Sequence, residues 1–328
     1  MRKPNNIVTL ESFNSLASYW LASRHSAMWN CIFVSPPWLE VWWHEFGYEA
    51  DLYLGAVRQE GDIIGVAPLL LKGPEAHFIG SSDVCDYLDF AIVAGREWDF
   101  FNILFEDLRQ RGISRLDLRP VRPDSTVFTH LTDLARDLEY EVSCEAEDVS
   151  LELDLPPTWE GYLAALTQKQ RHEVRRKMRR LWEAGDVRYR IAEDSESASL
   201  FSAVFLRFFR ESRQDKASFL TPRMESFFTS LVKAMARSGF LRLGILELDA
   251  SPVAVLMYFD YDNNVLLYNN GYDPQYSFLS VGLLSKILCI KDSIERGKNK
   301  FDFLKGADEY KHRLGGKEIT LYGCRIAL

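Results

Sequence analysis

The apolar positions in the second half of the chain follow two periods, that of a strand and that of a helix. Apolar runs bounded by polar turns predict strands at 187–192, 240–249, 252–260, 264–270, 300–304 and 317–326. Apolar residues at helical spacing predict helices at 196–212, 221–238, 279–296 and 307–313. The predicted order is therefore β-α-α-β-β-β-α-β-α-β.

The first half of the chain shows a similar order of predicted elements. Helices are predicted near 11–22, 36–46, 96–111 and 124–138, and strands in a hairpin at 52–71, at 88–93 and at 114–120. The shared order of elements supports a duplication of one domain, but the two halves share no evident residue identity. Coincidence therefore stays an alternative. We predict an α/β (α+β) protein with two domains, 1–150 and 151–328. Each domain is a mixed, mostly antiparallel sheet flanked by helices.

Composition narrows the class of protein. The 328 residues are 47% hydrophobic, which is enough for two buried cores, and the net charge of −8 argues against a protein that coats nucleic acid. The five cysteines are scattered and none forms a CxxC pair, so we expect free buried thiols in a reducing cytoplasm. No apolar run approaches the roughly 20 residues of a membrane span, and no apolar stretch follows the basic N-terminus. We therefore expect a cytoplasmic protein without an integral membrane segment.

Known catalytic signatures are missing from the sequence. The six histidines lack metal-ligand spacing, so we expect no metal. The sequence contains no GxSxG elbow, Walker loop or dinucleotide fingerprint.

The segment 268–316 contains the best candidate site. A predicted strand breaks at Asn269-Asn270-Gly271, and a polar loop opens a helix at Ser280-Val281-Gly282. The next strand ends at Lys305-Gly306 and is followed by Asp308, Tyr310 and Lys311. Two neighbouring strand ends and a helix N-terminus are typical of a site for an anionic carrier, because free N–H groups and the helix dipole favour phosphate.

A basic run lies at 169–180, with seven Lys or Arg in twelve positions. Its apolar residues Leu163, Leu166, Val174, Met178 and Leu181 predict an amphipathic helix. The basic face suits carrier phosphates, an acidic glycan, a membrane surface or tRNA. A solvated helix face is the alternative, and it is the commoner outcome for a run of charge.

Seven segments together resemble a known family. They are PPWLEVWWHEFG (36–47), IGVAPLLL (64–71), SDVCDYLDF (82–90), QKQRHEVRRKMRRL (168–181), PVAVLMYF (252–259), YNNGYDPQYSFLSVGLL (268–284) and FDFLKGADEYKHR (301–313). Their order resembles the GNAT acyltransferase fold, in its CelD/BcsL-like branch, which is related to the FemABX aminoacyl transferases. The resemblance implies two tandem GNAT-like domains. It also implies acyl transfer from a thioester or an aminoacyl ester to an amine or a hydroxyl.

The resemblance assigns roles to residues of the candidate site. Ser280, Val281, Gly282 and Leu283, with Lys311, would hold the carrier, and the backbone near Asn270 would polarise the reacting carbonyl. Tyr310 would protonate the leaving group, and Asp302 or Asp308 would act as base, directly or through water. The loop departs from the usual GNAT pattern, because it has one glycine and no arginine. An aminoacyl carrier therefore stays open beside coenzyme A.

Further residues, most of them outside this segment, are expected to bind substrate. Asp86 and Tyr87 would orient the acceptor, and Arg175, Arg179 and Lys305 would hold anionic groups. We expect an acyltransferase, and in particular an N-acetyltransferase, that uses acetyl-CoA or another acyl-CoA. Its acceptor would be a small molecule or a glycan in cell-envelope or polysaccharide metabolism. The alternatives are a FemABX-type enzyme that uses charged tRNA and a catalytically degenerate scaffold of a polysaccharide synthesis assembly.

Overall fold

The computed structural model describes residues 7–23 and 28–328. The chain forms two compact units. The first consists of the described residues within Met1–Val149 together with Ile319–Leu328, and the second is Ser150–Glu318.

The predicted strands and helices that the structure contains have bounds close to those predicted, apart from 88–93, and further elements accompany them. The strands are β1 (Ile7–Leu10), β2 (Asp51–Gln59), β3 (Asp62–Lys72), β4 (Glu75–Phe78), β5 (Ala91–Ile92), β6 (Arg115–Val121), β7 (Glu141–Asp154), β8 (Val187–Ala192), β9 (Leu241–Leu248), β10 (Ser251–Tyr261), β11 (Asn264–Tyr272), β12 (Lys300–Lys305) and β13 (Lys317–Ala327). The helices are α1 (Phe13–Ser23), α2 (Pro36–Phe46), α3 (Glu97–Gln110), α4 (Thr132–Asp137), α5 (Trp159–Ala165), α6 (Gln168–Trp182), α7 (Ser195–Ser212), α8 (Gln214–Phe219), α9 (Pro222–Arg237), α10 (Val281–Glu295) and α11 (Glu309–Arg313). A π-helical turn, Val127–Leu131, leads into α4.

Each unit is built on one sheet. In the first unit the strand order is β1-β2-β3-β4-β6-β13, with β5 beside β3. In the second unit the order is β7-β12-β11-β10-β9-β8. Each sheet contains one parallel pair, β4 with β6 and β11 with β12, and the other pairs described within each unit are antiparallel. The predicted fold class, two α/β units with mixed, mostly antiparallel sheets, is confirmed.

Two strands pass from one unit into the other along the chain. β7 begins in the first unit, and its residues from Ser150 onward pair with β12 in the second. β13 leaves the second unit at Glu318, and its later residues pair antiparallel with β6 in the first unit. The sequence places 317–326 as the last strand of the second domain. The structure differs because Tyr322–Ala327 find their hydrogen-bonding partners in Arg115–Val121.

The expectation that all cysteines are free thiols is wrong. Cys144 of β7 and Cys324 of β13 form a disulfide within the first unit, although 180 residues separate them in sequence. Pairing over that distance leaves no trace in cysteine spacing. Cys31, Cys85 and Cys289 are buried and take no part in a disulfide.

The segment predicted as a strand at 88–93 is mostly irregular, with only Ala91–Ile92 in strand conformation. Asp89 explains part of this, because its buried carboxylate accepts hydrogen bonds from the backbone N–H and the hydroxyl of Thr126. Such a side-chain bond competes with regular sheet pairing.

The second unit's core lies between α7, α9 and the sheet. Phe205, Phe208 and Phe209 of α7 and Phe227 and Phe228 of α9 are buried there. Thr221 caps α9 by accepting the N–H of Met224, with Pro222 in the first turn. Along the described residues, no helix is both long enough and apolar enough to cross a bilayer.

Candidate active site

Strands β11 and β12 separate soon after they begin. Their parallel pairing joins only Asn264–Leu266 to Lys300–Asp302, while β11 continues beside β10 to Tyr272. A bulge shifts the β10–β11 register between Met257 and Tyr258, and β11 continues through Asn270-Gly271, where the sequence predicted a break. The part of β11 from Leu267 onward therefore borders an opening.

Asn270 lies on the open part of β11. Its carbonyl oxygen accepts a hydrogen bond from the Lys216 ammonium, so this backbone group points away from β10. In a strand, the N–H and C=O of one residue point to the same side. The Asn270 N–H is therefore directed into the opening, where it can polarise a carbonyl.

The loop after β11 leads directly into α10. Residues Pro274–Leu279 form a 3₁₀ helix, and Ser280 takes a left-handed conformation with φ of 59° before α10 begins at Val281. The Ser280 side chain does not cap α10, because its hydroxyl accepts a hydrogen bond of 2.6 Å from Lys177. The N–H groups of a first helical turn have no partner within the helix, and Val281 and Gly282 occupy these positions.

Gly282 is required by close packing. A Cβ atom at this position would lie 2.6 Å from the ring of Tyr272. The absence of a side chain lets the start of α10 approach β11.

A cavity of about 250 Å³ lies at this place in the second unit. It is lined by Arg213, Lys216, Asn270, Tyr272, Ser277, Ser280, Val281, Gly282, Leu283, Lys286 and Tyr310. The structure thus brings together the predicted carrier loop, the predicted carbonyl-polarising backbone and the predicted proton donor. It also adds three cationic side chains that sequence reasoning missed.

The cations come from separate elements. Arg213 lies between α7 and α8, Lys216 on α8, and Lys286 one turn after Gly282 on α10. Lys286 is 5% exposed, donates a 2.7 Å hydrogen bond to the Gly282 carbonyl and lies 4.7 Å from the centroid of the Tyr310 ring. In the sequence Lys286 is one polar residue in an amphipathic helix, and no local pattern marks it.

Burial weakens the charge of both lysines. Burial, together with the neighbouring Lys216 ammonium, lowers the pKa of Lys286 to about 7. Burial also lowers the pKa of Lys216 to about 8, with Arg213 acting in the same direction. Near neutral pH both amines titrate in the range useful for proton transfer.

Tyr310 is held protonated by its surroundings. Burial raises the pKa of its hydroxyl well above the usual range, and the Asp308 carboxylate raises it further. Its ring packs edge-on against Phe303, with centroids 6.4 Å apart. A neutral phenol in this position can donate a proton.

Asp302 is not among the lining residues of the cavity. Its carboxylate accepts the N–H of Leu304 at 2.7 Å and the hydroxyl of Ser150 at 3.2 Å, and it is buried. These bonds hold a bulge of β12 in which Leu304 has a left-handed φ of 60°. Phe301 and Phe303, which flank Asp302 in β12, are buried as well.

Lys311 and Asp308 lie at the end of β12. The buried Lys311 ammonium donates to the carbonyl oxygens of Leu304 and Lys305 and lies 3.8 Å from Asp308. Lys311 and Lys305 are outside the cavity lining, so their predicted binding roles stay predictions. Asp308 is half exposed and acts electrostatically on Lys216, Lys286 and Tyr310.

The basic run forms α6, as predicted, but the helix begins only at Gln168. Leu163, part of the predicted apolar stripe, lies in the separate helix α5, and Leu166 lies between the two helices. Arg175 and Arg179 are exposed, whereas Lys177 reaches the Ser280 hydroxyl and Arg180 stacks over the ring of Phe278. Helix α6 is therefore joined to the loop before α10.

Asp86 and Tyr87 belong to the first unit. The Arg122 guanidinium lies 5.0 Å from the centroid of the Tyr87 ring, whose other neighbours include Phe33. Their predicted role in orienting the acceptor stays a prediction.

Comparison with known proteins relates the region around the cavity to a known domain family. Residues 168–312 match the model of the acetyltransferase (GNAT) domain, which spans α6, the loop before α10 and Tyr310. The chain contains a GNAT acetyltransferase domain. The GNAT resemblance inferred from the sequence motifs is confirmed over these residues. No curated protein sequence matches the chain significantly.

Several solved structures resemble the fold of this chain. FemX has a TM-score of 0.64 and 11% identity, over 96% of each chain. A conserved protein of unknown function from Bacteroides thetaiotaomicron has a TM-score of 0.59 and 10% identity, over 98% of this chain and 99% of that one. The C-terminal domain of a lysylphosphatidylglycerol synthetase from Agrobacterium fabrum has a TM-score of 0.55 and 10% identity, covering 85% and 83%. At these identities the likeness concerns the fold alone.

Proposed function

We propose that the protein transfers an acyl group from acyl-CoA to an amine or a hydroxyl. One observation carries the proposal: a single cavity is lined by the open end of β11, the start of α10 and Tyr310. An acyl transferase needs a polarised carbonyl, a site for the carrier and a proton donor for the leaving group. These elements supply the three.

The reaction proceeds by direct transfer. The acceptor nitrogen or oxygen attacks the thioester carbon, and negative charge develops on the carbonyl oxygen beside the Asn270 N–H. When the C–S bond breaks, the thiolate takes the proton of Tyr310. The N–H groups of Val281 and Gly282, at the positive end of the α10 dipole, hold the carrier phosphates.

The acceptor loses a proton during the attack. Asp308 is our candidate for the base, acting through water, because it is half exposed and its charge acts on the cavity lysines and on Tyr310. Asp302 is the weaker candidate, since its carboxylate already holds the β12 bulge. An acceptor from cell-envelope or polysaccharide metabolism and a cytoplasmic location remain part of this proposal.

Titration calorimetry with acetyl-CoA tests the donor. We expect binding that weakens when Gly282 is replaced by Val, because the side chain would enter the space between α10 and Tyr272. The exposed-surface variant Lys291→Gln, on the same helix, serves as the control and should bind normally. If acetyl-CoA neither binds nor raises the melting temperature, coenzyme A is not the carrier.

A charged tRNA is the second candidate donor, and one observation favours it. Lys177 and Arg180 join the basic helix α6 to the loop that precedes α10, so a polyanion bound along α6 would reach the cavity. Phosphate contacts make such binding strongly dependent on salt.

The triple variant R175A/R176A/R179A tests this candidate. Removal of three exposed cations should weaken tRNA binding and reduce its salt slope by about one unit for each phosphate contact that is lost. Arg188→Ala and Arg237→Ala remove cations elsewhere in the same unit and serve as controls. Equal affinity of the triple variant and the wild type for tRNA would exclude α6 as its binding surface.

A further inference from the structure

We propose that the acceptor carries an anionic group, a carboxylate or a phosphate, which binds between Lys216 and Lys286 beside the reacting carbonyl. The inference rests on the acyl transfer proposed above and names the chemical class of its acceptor.

The two ammonium groups are paired only with uncharged partners. Lys216 donates to the carbonyl and side-chain oxygens of Asn270, and its Nζ lies 4.7 Å from the centroid of the Phe209 ring. Lys286 donates to the Gly282 carbonyl and faces the Tyr310 ring. Across residues 7–23 and 28–328, neither lysine forms an ion pair with a carboxylate. The protein thus holds one buried and one half-buried amine without a matching anion.

The neighbouring charges are mostly positive. Lys286 is influenced by Lys216, Arg213 and Lys311, which disfavour its charged form, and by Asp308, which favours it. Arg213 itself is paired with Asp215 at 2.8 Å, so its charge is partly compensated. Buried charges without partners are costly, and a bound anion would relieve that cost.

The anion belongs to the acceptor because the carrier has other contacts. Carrier phosphates are assigned to the N–H groups of Val281 and Gly282, whereas the lysines contact Asn270 and Tyr310, the groups that flank the reacting carbonyl. The cavity of about 250 Å³ is also smaller than the roughly 300–1,000 Å³ typical of pockets for whole ligands. It has room for the reacting ends of two substrates and one small charged group.

Binding of an anion there should take up protons. An anion favours the charged forms of both lysines, and it therefore raises the pKa values that burial has lowered to about 7 and 8. The affinity for the anion should fall as the pH rises above about 7, because an increasing fraction of the free protein then holds a neutral Lys286.

Calorimetry with succinate and inorganic phosphate tests the site, and neutral succinamide is the matched probe. We expect both anions to bind the wild type more tightly than succinamide does, with proton uptake that is visible when the buffer is changed. K216M and K286M should each weaken anion binding by about tenfold, the effect of losing one charged hydrogen bond. K291M on the same helix should bind as the wild type does, and K286R should retain most of the affinity.

The same titrations with saturating acetyl-CoA separate the sources of the anion. Persistent anion binding supports an anionic acceptor, whereas displacement by acetyl-CoA assigns the lysines to the carrier phosphates and overturns the proposal. Equal affinity for succinate and succinamide in the wild type also overturns it. If acetyl-CoA fails to bind while the anions still bind at the lysines, the proposed donor is wrong and the anion site stands.

Discussion

Tyr310 and Lys286 share one buried corner of the cavity, and burial acts on them in opposite ways. It keeps the phenol of Tyr310 protonated by raising its pKa, and it brings the Lys286 amine close to neutrality by lowering its pKa to about 7. In both cases the uncharged form is favoured, because a low-dielectric site disfavours charge. The roles of these two side chains follow from where they are buried.

Tyr310→Phe removes the proposed proton donor. We expect kcat to fall by roughly 10²–10⁴, the usual contribution of a general acid, with the affinity for the donor unchanged. Steady-state kinetics with an acyl-CoA measure both quantities. Tyr162→Phe is the matched control, since its hydroxyl donates to the Leu314 carbonyl and supports structure rather than the cavity. A Y310F variant with normal kcat would remove Tyr310 from the mechanism.

The lowered pKa of Lys286 predicts a pH-dependent stability. Between about pH 7 and 10.5 this lysine is neutral in the folded state and charged in the unfolded state. The unfolded chain then binds more protons, so the free energy of unfolding rises with pH, by at most about 1.4 kcal/mol per pH unit for this group. Lys216 adds to the same trend above about pH 8.

Urea denaturation between pH 7 and 10 measures this effect, with K286M as the comparison. The free energy of unfolding of the wild type should rise relative to that of K286M as the pH increases. K291M, which removes a lysine that is paired with Glu295 on the surface, should follow the wild-type profile. Parallel profiles for wild type and K286M would show that Lys286 keeps an ordinary pKa.

The sequence motifs led to part of the site and missed the rest for a physical reason. Asn270, the loop at 280–283 and Tyr310 are near one another in sequence, so local patterns and element order could place them. Arg213, Lys216 and Lys286 meet only after α8 and α10 pack around β11. The bulge between Asp302 and Leu304, where the Asp302 carboxylate accepts the Leu304 N–H, has no sequence signal.

At the scale of elements, two features form the cavity: the start of α10 packs closely against β11, and β11 separates from β12. The close approach depends on Gly282 against Tyr272, and the separation on the early end of β11–β12 pairing. The sequence predicted both elements well, because their apolar periods are clear. Strands β4 and β7 were not predicted, since each is partly polar and depends on partners that are distant in sequence.

Gly271 shows how tightly β11 packs. A Cβ atom at this position would overlap the backbone of Phe208 and Phe209 in α7, which cannot move as a side chain can. Gly271→Ala should therefore lower the free energy of unfolding by about 1–3 kcal/mol and displace the open end of β11. Denaturation and donor binding measure the two effects.

Gly297→Ala is a useful comparison for this prediction. Gly297 has a φ of 69° and no atom near its would-be Cβ, so substitution costs only backbone strain, about 1 kcal/mol. It should leave donor binding intact, whereas equal effects of G271A and G297A on donor binding would show that the packing of β11 does not shape the site.

At the scale of the whole molecule, the element order predicted two α/β units, but it could not predict the exchange of their last strands. Pairing of β13 with β6 joins residues about 200 positions apart, and no periodicity in the sequence reports such a partner. The disulfide between Cys144 and Cys324 follows from the same arrangement, because it brings β7 and β13 together within the first unit.

Replacement of both cysteines by Ser tests the contribution of this bond. Closure of a loop of 180 residues should stabilise the oxidised protein by roughly 5 kcal/mol in the chain-entropy description, an upper estimate. Denaturation of oxidised wild type and C144S/C324S measures the difference. Equal stability of the two proteins would show that the bond is dispensable.

Thiol counting provides an independent check. Cys31, Cys85 and Cys289 are buried, so a thiol reagent should label few sites in the native oxidised protein and three after unfolding without reductant. Five labelled thiols under those conditions would show that Cys144 and Cys324 are reduced.

The passage of β13 into the first sheet affects the order in which the chain can fold during synthesis. The ribosome makes Ile319–Leu328 only after the whole of Ser150–Glu318, yet this segment supplies the strand beside β6. The first unit therefore cannot complete its sheet until the second unit has been synthesised, because the β13 position beside β6 stays empty until then. A nascent chain stalled before residue 319 should expose the β6 edge to proteases and chaperones. When synthesis resumes and β13 is made, pairing of β13 with β6 should cover that edge.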